Sequence, residues 1–236
     1  MFSKTDHYDF NSIFNNPTEM LPAIPDGYPE CSRFRFHGMY TVIDNEWVIP
    51  LAKWIKGITG GGQWEVIEVM AGRGWLARAL SQKGLHIEAS DNGSDYEHRD
   101  RTLGYDEEVV NAVYDVEEEE ALSVAQRIKR GKMEGEEKRF IVIVSYPSEK
   151  DYAALEFVKE LPKDTLIIYI GDELFQNTAS EEFKDAISWI HEEDTHPDKE
   201  KLEGFPLGAD VDGVGNDKSA ENTQKAVIRL GTPRSE

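Results

Sequence analysis

The chain has 236 residues, of which 39% are hydrophobic and 10% aromatic. This is enough apolar material for one α/β domain with extensions, but the chain is too short for two ordinary large domains. The formal net charge of −20 marks a strongly acidic protein. It disfavours nucleic acid as a partner, because phosphate backbones are bound largely through Lys and Arg, and the basic runs at 33–36 and 127–132 are short.

The cellular location is predicted from three features of the chain. The first residues lack the basic and apolar regions of a signal peptide. No apolar run approaches the roughly 20 residues that cross a bilayer, and the single cysteine, Cys31, cannot form an internal disulfide. We therefore expect a cytoplasmic protein without a membrane partner.

The first part of the chain divides into an arm and the start of a domain. Residues 1–38 show no steady periodicity and predict an irregular N-terminal arm, and residues 39–236 predict the domain itself. From Asp44 to about Ile58, apolar residues recur at helical spacing until a glycine run ends the pattern. This spacing predicts the first long helix.

Strands and helices then alternate. Short apolar runs rich in β-branched residues predict buried strands at 64–69, 85–90, 109–114, 139–146, 165–170 and 225–230. Apolar residues at helical spacing predict helices at 76–83, around 121–128, at 151–161, and from Thr178 through Ile190. Such alternation predicts a doubly wound, mostly parallel sheet with helices on both faces, which is a Rossmann-like α/β fold.

Parallel sheets bind ligands beyond the carboxyl ends of their strands. Gly72 and Gly74 follow the first predicted strand, and Asp91 and Asn92 follow the second. A glycine pair lets the backbone approach a ligand closely, and the next helix offers free N–H groups. Because an acid at the second strand tip can accept hydrogen bonds from both ribose hydroxyls, the pattern indicates a nucleoside-containing ligand.

The stretch E-V-M-A-G-R-G at 68–74 resembles the acid-x-G-x-G-x-G first motif of the class I, Rossmann-like S-adenosylmethionine-dependent methyltransferases. Asp91 stands where that family binds ribose, and Asp115 resembles its acid near the adenine, with Val116 beside it. The resemblance implies S-adenosylmethionine as cofactor and methyl transfer as activity. It implies a cofactor site formed by Glu68, Ala71, Gly72, Gly74, Asp91, Asn92, Asp115 and Val116.

One residue departs from the motif, because Met70 replaces the family's first glycine. Its side chain would either narrow the site or point into the core. The letters from Gly72 to Ala77 also fit the dinucleotide fingerprint G-x-G-x-x-G/A. Glu68 favours the methyltransferase interpretation, because a nicotinamide site places a pyrophosphate nearby and gains nothing from a carboxylate.

Each acid also has a purely structural interpretation. Glu68 could form an ion pair with Arg73 or Arg78, Asp91 could cap the turn that Asn92 and Gly93 begin, and Asp115 could cap a helix. Two alternatives concern larger parts of the chain. The glycine loop could serve only chain geometry, and the domain could be a non-catalytic module that keeps the fold and acts through protein contacts.

Ser145 and Tyr146 lie at the carboxyl end of the fourth strand, where the methyl group is delivered in this family, and are the predicted catalytic residues. Methyl transfer mainly requires an aligned nucleophile that can lose its proton. Asp172, after the fifth strand, could accept that proton or pair with a cationic substrate. The acidic charge favours a small molecule or a basic protein segment as acceptor. No metal site is predicted, since His191 and His196 lack zinc-ligand spacing.

Overall fold

A computed structural model describes residues 8–23, 33–60, 62–94, 112–135, 137–148, 152–172, 178–190, 204–206, 210–211 and 226–234. Its strands are β1 (Trp64–Val69), β2 (Glu88–Asp91), β3 (Glu117–Glu118), β4 (Arg139–Ser145), β5 (Leu166–Asp172), β6 (Ile187–Trp189), β7 (Asp210–Val211) and β8 (Ala226–Pro233). Its helices are α1 (Phe10–Asn15), α2 (Pro17–Met20), α3 (Arg33–Phe36), α4 (Asn45–Thr59), α5 (Trp75–Gln82), α6 (Ala121–Met133), α7 (Ala153–Glu160) and α8 (Glu181–Asp185).

The strands form one sheet in the order β3-β2-β1-β4-β5-β8-β6, and β7 pairs with β8. The first five strands of this order run parallel, and β8 is antiparallel to β5, β6 and β7. Strand order reverses between β1 and β4, which is where doubly wound sheets bind their ligands. The predicted Rossmann-like fold is confirmed by this topology.

The two faces of the sheet are covered by different layers. Along β4, Ile141 and Ile143 belong to one hydrophobic cluster, whereas Val142 and Val144 belong to the other. This alternation follows from the pleat, which points successive side chains to opposite faces. The first cluster also contains α4, α5 and the arm, and the second contains α6 and α7.

The arm is more regular than its sequence predicts. It forms α1 and α2 within residues 8–23 and α3 just before the domain. Asp9 caps α1 by accepting from the backbone and hydroxyl of Ser12, and Phe10, Ile13 and Phe14 are buried. The predicted boundary at residue 38 stays a prediction, but arm and domain residues share one hydrophobic cluster.

Two predicted elements are wrong in detail. The third strand lies at Glu117–Glu118, not at 109–114; residues 112–114 are irregular, and 109–111 lie outside the described residues. The helix predicted from Thr178 to Ile190 ends at Asp185 and is followed by β6. In both places the apolar residues are buried in another way than predicted. Val113 packs in the core outside any strand, and Ile187 belongs to a strand in which it pairs with Pro233.

None of the helices in the described residues is both long enough and apolar enough to cross a membrane.

Candidate functional site

The carboxyl ends of β1 and β2 are tied together through backbone hydrogen bonds. The amide of Gly72 donates to Asp91 Oδ2 at 2.8 Å, and the amide of Gly93 donates to Asp91 Oδ1 at 2.9 Å. The amide of Ala71 donates to the carbonyl of Ser90 at 3.0 Å. Asp91 therefore caps its own turn, as the structural alternative holds, and also fixes the glycine loop. A carboxylate offers about four acceptor positions, so these two bonds do not exhaust its capacity.

Gly74 must be glycine for two reasons. Its φ of 78° lies in the left-handed region, which side chains disfavour. A Cβ atom at this position would lie 2.8 Å from both Tyr114 Cβ and Val116 Cγ2. The amide of Val113 also donates to the carbonyl of Arg73 at 2.8 Å. The segment before β3 thus packs directly on the glycine loop.

Met70 also occupies the left-handed region, with φ of 56°. This backbone conformation explains why a glycine is suited to the position, because a non-glycine residue there is strained by about 1–3 kcal/mol. The side chain packs against the α6 and α7 cluster while Met70 also lines a cavity on the other side of the loop. Both expectations for Met70 are therefore met in part.

Glu68 lies at the centre of the site. It is 2% exposed, and its Oε2 atom has no hydrogen-bond partner. Burial raises the pKa of Glu68 to about 8. A hydrogen bond from the backbone of Ala77 lowers this pKa, and the negative charge of Asp91 raises it further. Among the described residues Glu68 forms no ion pair with Arg73 or Arg78; Arg73 instead donates to the carbonyl of His37. The ion-pair alternative is thus wrong.

A cavity opens beside Glu68. It has about 320 Å³ of atom-free space, a volume that includes the open solvent at its mouth. Its walls bring together three predicted site residues, Glu68, Ala71 and Ser145. The remaining lining residues are Gly38, Met39, Tyr40, Thr41, Ile43, Met70, Trp75 and Leu76. Met70 and Trp75 are thus among the residues that border this space.

Tyr146 lies in the left-handed region too, with φ of 51°, and its amide donates to the carbonyl of Ile170. Burial raises the pKa of Tyr146 to about 12, with a lowering effect from its hydrogen bond to the Thr41 side chain and a raising effect from Asp172. The phenol is therefore neutral near pH 7 and donates or accepts hydrogen bonds without acting as an anion. Asp172 is buried nearby at the end of β5.

Asn92, Asp115 and Val116 are predicted cofactor-binding residues that do not line the cavity beside Glu68. Asn92 is exposed and accepts from the amide of Ser94 at 3.1 Å. Val116 contacts the glycine loop at Gly74. Asp115 is exposed and precedes β3 instead of following it. The prediction that Asp115 follows the third strand is therefore wrong, because the apolar run before it is not the strand.

Three carboxylates converge beside β2 and β3. Glu88, Glu117 and Glu119 place oxygen atoms within 4.8 Å of one another, a spacing that a metal ion could bridge. Arg127 from α6 already donates to both oxygens of Glu88 and to Glu119 at 3.1 Å. The guanidinium supplies the positive charge here, so we interpret the cluster as an ion-pair network.

The junction between the arm and the domain supplies lining residues to which the sequence assigns no role. Gly38, Met39, Tyr40 and Thr41 form one wall of the cavity. The only local signal was a glycine between histidine and methionine in an otherwise aromatic and basic segment. The resemblance to the methyltransferases implies a region before the first long helix that often closes over the cofactor, but it assigns no role to these residues.

Neither a protein-family model nor a curated protein sequence matches the chain. Among solved structures it is similar to magnesium protoporphyrin IX methyltransferase from Synechocystis PCC 6803 with bound S-adenosylmethionine, at 12% identity over 79% of this chain and 78% of that one, with a TM-score of 0.37. It is similar to an S-adenosylmethionine-dependent methyltransferase from Clostridium acetobutylicum ATCC 824, at 10% identity over 80% and 92%, with a TM-score of 0.35.

A third similar structure is a glycopeptide N-methyltransferase complexed with S-adenosylmethionine, at 15% identity over 77% of this chain and 92% of that one, with a TM-score of 0.34. Each of these structures is a methyltransferase, the family that the glycine motif resembles. Identities and TM-scores this low carry no functional argument, so the function has to be argued from the geometry of this chain.

Proposed function

We propose that this protein binds S-adenosylmethionine and transfers its methyl group to a small molecule or a protein segment. The observation that carries the proposal is the buried, unpartnered carboxylate oxygen of Glu68. It lines a cavity next to a glycine loop that is itself hydrogen-bonded to Asp91. Burial without a partner keeps Glu68 protonated, and a cationic ligand group would compensate the negative charge that it carries once the proton is released.

Different residues would contact different parts of the ligand. Glu68 would hold the cationic amino acid end, and the backbone of Ala71, Gly72 and Gly74 would pass close along the ligand. Asp91 would accept from the ribose hydroxyls, since its position is already fixed by two backbone amides. S-adenosylmethionine supplies an electrophilic methyl group on a sulfonium.

Ser145 and Tyr146 would orient the acceptor. Ser145 lines the cavity directly, and the neutral Tyr146 hydroxyl bonds to Thr41, which also lines the cavity. Asp172 places negative charge close to this hydroxyl, which favours an acceptor that becomes positively charged over an anionic one. Nucleic acid is disfavoured as acceptor by the net charge of −20. The cytoplasmic location stays a prediction.

Isothermal titration calorimetry with S-adenosylmethionine and S-adenosylhomocysteine tests the proposal. We expect both to bind the wild-type chain, and D91A to weaken both by roughly 1–3 kcal/mol, because donors on the ligand lose their acceptor. NAD is the rival ligand. Protection of the fold by NAD but not by the adenosyl compounds, or no binding of either adenosyl compound at millimolar concentration, would end the methyltransferase proposal.

A non-catalytic module is the second candidate, and Met70 favours it. A strained methionine that lines the cavity leaves less room than glycine would. Incubation with methyl-labelled S-adenosylmethionine and a panel of amines, thiols and basic peptides separates the two candidates. Binding of the cofactor without transfer to any of them would favour the module, and label in any product would exclude it.

A further inference from the structure

The end of the N-terminal arm and the first residues of the domain form a wall of the proposed cofactor cavity. Gly38, Met39, Tyr40 and Thr41 face the space that Glu68, Met70 and Ala71 line from the other side. Any ligand that occupies this space would contact the arm as well as the glycine loop. What holds the arm in place therefore also determines the shape of the cavity.

The carbonyl of His37 joins the arm to the glycine loop. It accepts from Arg73 Nη1 at 2.7 Å and from Trp75 Nε1 at 2.7 Å. All three residues are buried. Gly38 follows with φ of 71°, and a Cβ atom there would lie 2.6 Å from Arg73 Cδ. The arm approaches the loop so closely that only glycine fits at this contact.

The ring of His37 is held from within the arm. Tyr8 Oη lies 2.8 Å from Nδ1, and the carbonyl of Pro22 lies 3.0 Å from Nε2. A carbonyl can only accept, so Nε2 carries the ring hydrogen and Nδ1 accepts from the Tyr8 hydroxyl. Tyr8 also packs edge-on against Trp75, with ring centroids 5.2 Å apart. One histidine thus connects two points of the arm to two residues of the loop.

We propose that His37 is a positioning residue for the cofactor, an inference that rests on the proposed function. Its ring bonds to Tyr8 and Pro22 fix its backbone, and its carbonyl then holds Arg73 and Trp75 at either side of Gly74. Residues 38–41 are placed against the glycine loop as a result. Loss of the ring bonds would loosen this wall and the loop together, without removing any group that touches the cofactor.

Titration with S-adenosylhomocysteine measures the effect on binding. We expect Y8F, which deletes one hydroxyl, to weaken binding about fivefold, the factor expected for one hydrogen bond. H37A deletes both ring bonds and should weaken binding about tenfold or more. H37N keeps an oxygen near the Nδ1 position and should recover part of the loss. The double variant Y8F/H37A should bind no worse than H37A, because the shared bond is already absent.

I128V is the matched control. Ile128 is buried in the α6 and α7 cluster on the other face of the sheet, and its loss of one methyl group lowers stability by an amount similar to one hydrogen bond. It should leave affinity within twofold of the wild type. If Y8F and H37A also stay within twofold although they are equally destabilised, His37 has only a structural role and the inference is overturned.

Amide hydrogen exchange without any ligand provides a second measurement. We expect the amides from Gly72 to Ala77 to exchange faster in Y8F and H37A than in the wild type, and to be unchanged in I128V. Unchanged exchange in Y8F and H37A would overturn the positioning role. Faster exchange together with no binding of S-adenosylhomocysteine by the wild type would instead refute the proposed function and leave the connection between arm and loop intact.

Discussion

The carboxyl ends of β1 and β2 differ in construction from those of β4 and β5. The first place is built mainly from backbone amides of Gly72 and Gly93, which hold Asp91 within a short stretch of chain. The second is built from side-chain hydrogen bonds: Tyr146 bonds to Thr41 in a distant part of the chain, and Tyr169 bonds to Thr178 nine residues later. A subsite made of backbone leaves a motif in the sequence, whereas one made of distant side chains does not.

Both places contain a strained residue. Met70 follows β1 and Tyr146 follows β4, and these strands are paired neighbours. Left-handed backbone at non-glycine residues concentrates at functional sites, where surrounding packing maintains it. The two strained turns lie on either side of the point where strand order reverses, which is the point at which the sheet edge is open to a ligand.

The largest effect is expected at Gly74. G74A adds a Cβ atom at φ of 78° and within 2.8 Å of Tyr114 and Val116. Left-handed strain of about 1–2 kcal/mol and overpacking of about 1–3 kcal/mol predict a loss of roughly 2–5 kcal/mol. Urea denaturation measures it. G135A is the control, since Gly135 has φ of 90° but open space around it, and it should lose only the strain.

Equal losses in G74A and G135A would show that the segment before β3 does not press on the glycine loop. The glycine loop after β1 would then be shaped by its local turn geometry alone.

Replacement of Glu68 should stabilise the protein at neutral pH. Its pKa is about 8 when folded against 4.5 for the ordinary carboxyl, so between these values the folded chain keeps a proton that the unfolded chain releases. Stability contributed by this group therefore falls as pH rises from 4.5 to 8. E68Q removes that dependence and should be more stable at pH 7 by on the order of 3 kcal/mol, while binding the cofactor more weakly.

Chemical denaturation of E68Q and wild type from pH 4 to pH 8 tests this prediction. E65Q is the matched control, because Glu65 lies on the same strand but is half exposed in an ion pair with Lys138. It should change stability by at most about 1 kcal/mol. A constant difference between E68Q and wild type across this range would contradict a protonated Glu68.

The strands and the glycine motif could be predicted from the sequence, whereas the cavity wall formed by residues 38–41 and the third strand could not. Strands such as 139–146 were predictable because their β-branched residues are buried on both faces. The positions of Glu68, Ala71 and Asp91 followed from the glycine motif. The roles of residues 37–41 could not be assigned from the sequence, because the carbonyl of His37 that accepts from Arg73 and Trp75 is a backbone group and carries no sequence signal. β3 was missed because two exposed acids form it.

A smaller effect is expected from the hydrogen bond between Tyr146 and Thr41. Y146F and T41V each remove one partner of the same hydrogen bond, and each should lose about 1 kcal/mol. The double variant should lose about 1 kcal/mol less than the sum, because the bond is already broken in either single variant. Pairing T41V with Y152F is the control, since Tyr152 is exposed. Additive losses for Tyr146 and Thr41 would show that Thr41 and the turn after β4 are not linked by this bond.

The smallest effect is expected at Asp115. The pairing of Asp91 with Glu118 puts Asp115 three residues before the sheet edge, a distance of up to about 10 Å along an extended chain. D115N should therefore change stability by less than about 0.5 kcal/mol and leave the affinity for S-adenosylhomocysteine within twofold. D91N removes a charge bonded to Gly72 and should weaken binding by about 1–3 kcal/mol. Equal losses in the two variants would mean that the adenine lies over Asp115, and that the backbone subsite extends further from the strand tips than the pairing of β2 and β3 indicates.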